Sequence, residues 1–464
     1  MVWYYLGMKG QNEKTAKQVV TRFAPSPTGL LHLGNYRTAV FSYLFARQRR
    51  GKFIVRIEDT DKERSKKEYE LNIIESLTWL GLEYDELYKQ SDRIESHKKY
   101  LNKLITCGKA YVSIEEAKDG SGAIKEIIRF KNPNKRVAFE DLIRGRIEFD
   151  TTDLGDFVIA KNIDEPLFHL AVVVDDFEMG ISHVIRGEDH ISNTPRHILI
   201  QEAIGAPTPT YAHLPLVLAS DRSKLSKRKG ALPLTDYRDL GYISAALLNT
   251  MALIGWNPGT EQEIFSLNEL IKAFDLSKVQ KGGAIFNPVK LDWINKEHIK
   301  KLPEVEQIEQ IKQWLARSGF KPNIKLIENL RPIIIDRISK WSDLRTMKEA
   351  GELGYYFTAP NYSKGGLIWK KLKDSSEKFI LTKKYLEKVY ELLHEIPDSG
   401  FNYESVKLGV SNYAEQVGKG DVLWPMRYAL SGVEKSPDPF TLAVILGKAE
   451  SLRRIEEAIS KLSQ

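Results

Sequence analysis

Cysteine is almost missing: Cys107 is the single one in 464 residues. No intrachain disulfide can form, and no zinc site that needs two or more cysteines can be assembled within the chain. Such a composition suits the cytoplasm, where thiols stay reduced. Long apolar runs are missing too. The most apolar stretch, Ala245 to Trp256, is interrupted by Asn249 and Thr250, and the opening MVWYYLGMKG lacks a basic region followed by an apolar core. Neither secretion nor membrane spanning is expected. The usual nucleotide signals are also lacking. No Gly-x-Gly-x-x-Gly follows a predicted strand, and no Gly-x-x-x-x-Gly-Lys-Ser/Thr occurs, which disfavours dinucleotide and P-loop folds.

What is present is the mix of a folded protein, with 42% hydrophobic, 10% aromatic and 28% charged residues. At roughly 150 residues per domain the length corresponds to about three domains. Lys plus Arg number 69 against 62 for Asp plus Glu, a balance of +7 that fits a polyanionic partner and equally an ordinary solvated surface.

Gln18 to Ala24 and Lys52 to Glu58 read as strands, and Tyr36, Ala39, Val40, Tyr43 and Leu44 between them follow helical spacing. Further apolar runs at Phe168 to Val174, His183 to Ile185 and Leu214 to Ala219 read as strands, with a helix from Thr194 to Ile204. This alternation predicts a parallel α/β sheet. A more polar stretch lies between the two groups, with the turn-rich AKDGSGA and the basic run Lys125, Arg129, Lys131, Lys135 and Arg136, and reads as an insertion. From Gln307 onward the patterns are helical, as in QIEQIKQWLARSG and SLRRIEEAISKL. The expected division is a leader without periodicity over 1–17, a sheet domain over 18–87 and 165–220, and an insertion over 88–164. A connecting region over 221–305 and helical subdomains over 306–375 and 376–464 complete it.

Two segments carry the chemistry. In the first, Arg22-Phe23-Ala24-Pro25-Ser26-Pro27-Thr28-Gly29 runs into His32-Leu33-Gly34-Asn35 at a strand-to-helix turn. The prolines stiffen the turn, the glycines let backbone approach a ligand, and the helix start offers N–H groups and a positive dipole end to an anion such as phosphate. His32 can donate to a phosphate oxygen whose charge grows during displacement. A rigid turn with a capping histidine is the plainer reading of this segment alone.

The second segment is Lys224-Leu225-Ser226-Lys227-Arg228-Lys229, four cations in six residues after an apolar strand. Such runs are usually solvated loops. Ligands of open parallel sheets, however, bind beyond the C-terminal strand ends, where a basic loop can close over triphosphate. The two segments together are more specific than either alone.

His32-Leu33-Gly34-Asn35 resembles the His-Ile-Gly-His motif of class I aminoacyl-tRNA synthetases, and Lys224-Leu225-Ser226-Lys227-Arg228 resembles their Lys-Met-Ser-Lys-Ser motif. The flanks RFAPSPTG (22–29), RIEDTD (56–61), VVDD (173–176) and HVIRGE (183–188) are similar to glutamyl-tRNA synthetases of the bacterial type, as are LWPMR (423–427) and SPDPF (436–440). The resemblance implies a Rossmann-type catalytic domain with an inserted acceptor-binding domain, followed by an α-helical anticodon-binding half. It implies ATP-dependent ligation of L-glutamate to tRNA(Glu) through an adenylate. A non-discriminating enzyme that also charges tRNA(Gln), and a non-catalytic tRNA-binding paralog, remain alternatives at this point.

By the same resemblance His32, Lys224 and Lys227 are the catalytic residues. Pro25, Ser26, Thr28, Gly29, Gly34, Asn35, Glu188 and Asp189 join them around ATP. Arg22, Ser26, Glu58, Phe168, Val172 and Arg186 surround glutamate, the arginines facing carboxylate and Glu58 the ammonium. Asp175 and Asp176 read equally well as turn formers and stay outside this set. Mg²⁺ is expected on the nucleotide phosphates, with no zinc and no protein metal cage, since the run Arg186 to His190 lacks a zinc site's spacing and ligand number. The implied form is a cytoplasmic monomer.

Two departures concern the site: Asn35 replaces the motif's second histidine, and Phe168 stands where many relatives carry Tyr, which removes one hydroxyl from the glutamate pocket. The Lys-rich stretch from Lys364 to Lys388, with Tyr362, Trp369 and Tyr385 interleaved, reads as a phosphate-tracking surface or as ordinary core and solvated face.

Overall fold

The computed structural model describes residues 18–116, 124–225, 232–321, 323–372 and 375–464. The leader over 1–17, AKDGSGA and Lys227 lie outside the described residues. The chain divides into two compact units, residues 1–295 and 296–464.

The first unit is built on parallel strands. Val20–Phe23 pairs with Lys52–Ile57, and Glu86–Lys89 pairs with the far side of that second strand. Helix Leu33–Gln48 covers this sheet because Tyr36, Val40, Tyr43 and Leu44 recur on its inner face, each no more than 6% exposed. A second parallel pair joins His183–Gly187 to Thr210–Leu214. The two pairs meet where Ser182 N–H donates to the Val20 carbonyl and Val20 N–H donates to Ser182 Oγ. Both segments predicted to bind ligand therefore follow the C-terminal ends of parallel strands.

Phe168–Val174, expected as a strand, begins the helix Phe168–Glu178. Residues 170 to 174 are all buried, so the run is apolar on every side and its periodicity carries no signal to separate strand from helix. Asp175 and Asp176, for which a turn-forming role was one of two open readings, are buried on this helix. The run Leu214–Ala219 is likewise split. One strand ends at Leu214, Pro215 intervenes, and Val217–Leu218 pairs with Ala284–Ile285.

In the polar stretch, the strands Ala110–Glu116, Ile124–Phe130 and Phe157–Asn162 form an antiparallel sheet, which Glu165–Pro166, just past the expected border, completes. The hairpin Arg136–Asp141 and Gly145–Asp150 instead joins the parallel pair, with Asp141 opposite Tyr211. In the basic run, Arg129 pairs with Glu115, Lys135 with Glu202 and Arg136 with Glu148.

The second unit is helical. Its helices include Glu304–Arg317, Ile324–Arg337, Lys378–Glu395, Tyr403–Val417, Lys419–Ser431 and Lys448–Ser463. Buried Arg454 fastens it by donating to the carbonyls of Tyr355 and Leu430, both at 2.6 Å. In the Lys-rich stretch, Trp369 packs on Trp424 at 5.4 Å between ring centres, with the Lys370 ammonium 5.0 Å from the Trp369 ring. Among the described residues no helix is long and apolar enough to cross a membrane.

Candidate active site

A cavity of about 420 Å³ opens at the strand ends of the first unit. Pro25, Ser26, Thr28, His32, Gly34 and Asn35 line one side, and Lys224 and Asp189 also reach it. Arg22, Glu58, Phe168, Val172 and Arg186 line the remainder. Gly29 and Glu188 are not among the lining residues.

The helix start explains its own sequence. Gly34 N–H donates to His32 Nδ1 at 3.1 Å, and His32 N–H donates to Asn35 Oδ1 at 3.1 Å, a reciprocal cap. With Nδ1 accepting, the neutral form of the imidazole carries its proton on Nε2. Asn35 thus holds the turn with its amide oxygen. A Cβ at position 34 would lie 3.0 Å from the His32 ring, closer than ordinary contact, so a larger residue there presses on the histidine, whereas a Cβ at Gly29 meets nothing within 4 Å.

On the cationic loop, Lys224 is exposed and its Nζ lies 3.8 Å from Asp189 Oδ2. Glu188 is held by protein partners: it accepts from Leu216 N–H at 2.7 Å and pairs with Arg144.

Two clusters of buried charge border the cavity. In one, Arg56 is fully buried and donates to Asp176 Oδ1 at 2.7 Å and to Glu58 Oε1 at 3.1 Å, while Arg22 Nε donates to Asp176 at 3.2 Å. Burial works against the Arg56 charge, but the carboxylates of Asp176, Glu58 and Asp175 outweigh it and hold its pKa above the ordinary value. For Glu58 burial dominates over the two arginines and raises its pKa. Asp176 goes the other way. Burial is opposed there by Arg22 and Arg56, which hold it below the usual carboxylate range.

The other group surrounds Arg186. Its guanidinium donates to His213 Nε2 and His197 Nδ1, each at 3.2 Å, to Thr194 Oγ1 at 2.8 Å and to the His190 carbonyl at 3.4 Å. Burial pushes its pKa down to about 10. The Phe168 ring sits among His169, His190 and His197 at 5.4 to 5.8 Å between ring centres. Arg56, Asp141, His197 and His213 are not singled out by the sequence, and Asp176 is weighed there but left outside the site. The weak signal for two of them was position, Arg56 two residues before Glu58 and Asp176 in an apolar run.

Residues 18–119 and 114–293 match the family model for tRNA synthetases class I (E and Q), catalytic domain, and residues 306–459 match that for an anticodon binding domain. A glutamate–tRNA ligase of Aquifex aeolicus is 42% identical over 96% of this chain and 100% of its own length. The chain belongs to the glutamyl-tRNA synthetases. A second family member, the glutamate–tRNA ligase of Thermodesulfovibrio yellowstonii, is 40% identical over 95% of this chain and 99% of its own. The fold agrees with the family's. The crystal structure of a glutamate tRNA ligase from Elizabethkingia meningosepticum, in complex with its amino acid, superposes with a TM-score of 0.84 at 31% identity, covering 96% of this chain and 100% of that one.

Among the described residues no group of three or more His, Cys, Asp or Glu side chains is arranged to hold a metal ion.

Proposed function

We propose that this protein joins L-glutamate to tRNA(Glu) with ATP, through a glutamyl-adenylate, releasing pyrophosphate and AMP. The observation that carries this reading is one cavity in which a capped helix start and a lysine face the same space as the buried Arg22 and Arg186 and the buried carboxylate of Glu58.

The chemistry needs no protein nucleophile. A carboxylate oxygen of glutamate attacks the α-phosphorus of ATP, the new C–O–P linkage forms, and the bond to the bridging oxygen breaks with pyrophosphate as leaving group. A ribose hydroxyl at the end of tRNA then attacks the activated carbonyl, loses its proton, and AMP departs. The protein's task is placement and charge stabilisation.

Arg22 and Arg186 hold carboxylates, Glu58 accepts from the ammonium, and Ser26 adds a hydroxyl. His32 Nε2–H donates to a phosphate oxygen, with the N–H groups around Gly34 beside it. Lys224 and Lys227 neutralise the charge that builds on pyrophosphate. Asp189 lies toward the adenosine. Mg²⁺ would be carried by the nucleotide phosphates and would help neutralise their charge. The segment over 88–164 contacts the acceptor end and the helical unit reads the anticodon, in a cytoplasmic monomer.

Charging total tRNA with glutamate, glutamine and aspartate in parallel tests this. Glutamate alone is expected to be transferred, and purified tRNA(Glu) to be charged in preference to purified tRNA(Gln). Charging with aspartate or glutamine, or none at all, refutes it.

A further inference from the structure

Arg186 is 6% exposed, and among the described residues no carboxylate lies within ion-pair distance of it. Its guanidinium is held by neutral acceptors, two of them imidazole nitrogens. An imidazole nitrogen accepts only while the ring's proton sits on the other nitrogen, so whatever fixes those protons also fixes the arginine.

For His213 the fixing group is a carboxylate. Asp141 Oδ2 lies 2.7 Å from His213 Nδ1 and also accepts the His213 backbone N–H at 3.0 Å. Its Oδ1 accepts from Ile143 N–H at 2.9 Å and Arg144 N–H at 2.8 Å. Every partner of Asp141 is a donor, so the ring proton is assigned to Nδ1 and the Nε2 lone pair faces Arg186. Burial works against ionised Asp141, but the His213 and backbone donors prevail and keep its pKa below the usual carboxylate range.

For His197 the fixing group is a second histidine. His197 Nδ1 accepts from Arg186, so its Nε2–H donates to His169 Nδ1 at 3.1 Å. The Arg186 fork is therefore clamped from two directions, by a carboxylate–imidazole pair and by an imidazole–imidazole pair.

We propose that Asp141, acting through His213, and His169, acting through His197, are positioning residues that aim Arg186 at a carboxylate of the bound amino acid. This rests on the reading of Arg186 given above. Asp141 belongs to the hairpin of residues 136–150, within the stretch the sequence marks as an insertion. A segment expected to meet RNA thereby sets amino-acid affinity as well.

The test is pyrophosphate exchange with tRNA present, with KM measured separately for glutamate and for ATP in Asp141→Asn, His213→Leu, His213→Gln and His169→Phe. An asparagine at 141 cannot accept from all four donors, and leucine at 213 offers no acceptor. Both substitutions should raise the glutamate KM about tenfold or more and leave the ATP KM within about twofold. His213→Gln restores an acceptor and should recover most of the loss, while His169→Phe should raise the glutamate KM by about threefold. An unchanged glutamate KM in Asp141→Asn and His213→Leu overturns the proposal. So does a parallel rise in both KM values with His213→Gln no better than His213→Leu. Arg186→Ala separates the two layers: if it leaves the glutamate KM unaltered, the reading of Arg186 itself fails, and if it raises that KM while the four variants do not, only the positioning proposal fails.

Discussion

The Nε of Arg22 lies 3.2 Å from Oδ1 of Asp176, and both side chains are buried. The same carboxylate oxygen lies 2.7 Å from the fully buried Arg56 guanidinium. One aspartate thus holds a cation that lines the cavity and another behind it, and the second reaches on to Glu58. The cavity wall that carries Arg22 and Glu58 is anchored from the helix Phe168–Glu178 through this shared carboxylate.

Asp176→Ala leaves two buried guanidinium groups with one carboxylate fewer. Losing one partner of a buried ion pair costs about 3 to 5 kcal/mol. Urea unfolding should show a loss of that order, with a raised glutamate KM in whatever folded protein remains. A loss below about 1 kcal/mol means that the network contributes little.

Lys227→Ala addresses the nucleotide side. A donor aimed at charge developing in the transition state contributes about 100-fold or more to rate. Pyrophosphate exchange with tRNA present should fall by that order while tRNA affinity stays nearly unchanged. Equal exchange rates in variant and parent remove Lys227 from the mechanism.

Phe168→Tyr returns a hydroxyl to a ring that lines the cavity among three histidines. One added hydrogen bond to substrate lowers the glutamate KM by about three- to tenfold. A raised KM shows that the phenyl ring is required for packing at this position.

Acid sensitivity follows from the histidines near Arg186. Burial first, then neighbouring charge, from Arg196 and Arg186 for His169 and from Arg186 for His190, brings each pKa down to about 4 from an ordinary 6.5. His197 shifts in the same direction, with burial as the main cause. Between those limits the unfolded chain binds more protons than the folded one, so stability falls as pH drops from about 6.5 toward 4. The urea midpoint should decrease between pH 7 and pH 5, and decrease less in His169→Phe. An identical decrease in variant and parent rules out a contribution from His169.

The turn through Pro25, Gly29, His32 and Gly34 was legible in the sequence because its determinants are local. Ring, glycine and helix cap lie within a few residues, and chemistry and geometry share one short segment. Helix Phe168–Glu178 was not, since a run buried on every side has no periodic face, and with it went the role of Asp176. Asp141 and His213 were illegible for another reason. They are 72 residues apart, and only the hairpin's attachment beside Tyr211 brings them together. The Asn35 cap lay between: its place in the motif was visible, but not that its amide oxygen is taken by the His32 backbone.

That attachment has a practical corollary for anyone trimming this enzyme. Excising the polar stretch at its sequence-marked borders to obtain a smaller adenylating core also deletes Asp141, which orients His213, and Arg144, the partner of Glu188. A shortened version that keeps the hairpin of residues 136–150 as a graft on the neighbouring strand preserves both contacts, so the hairpin and the parallel sheet are best engineered as one inheritable block.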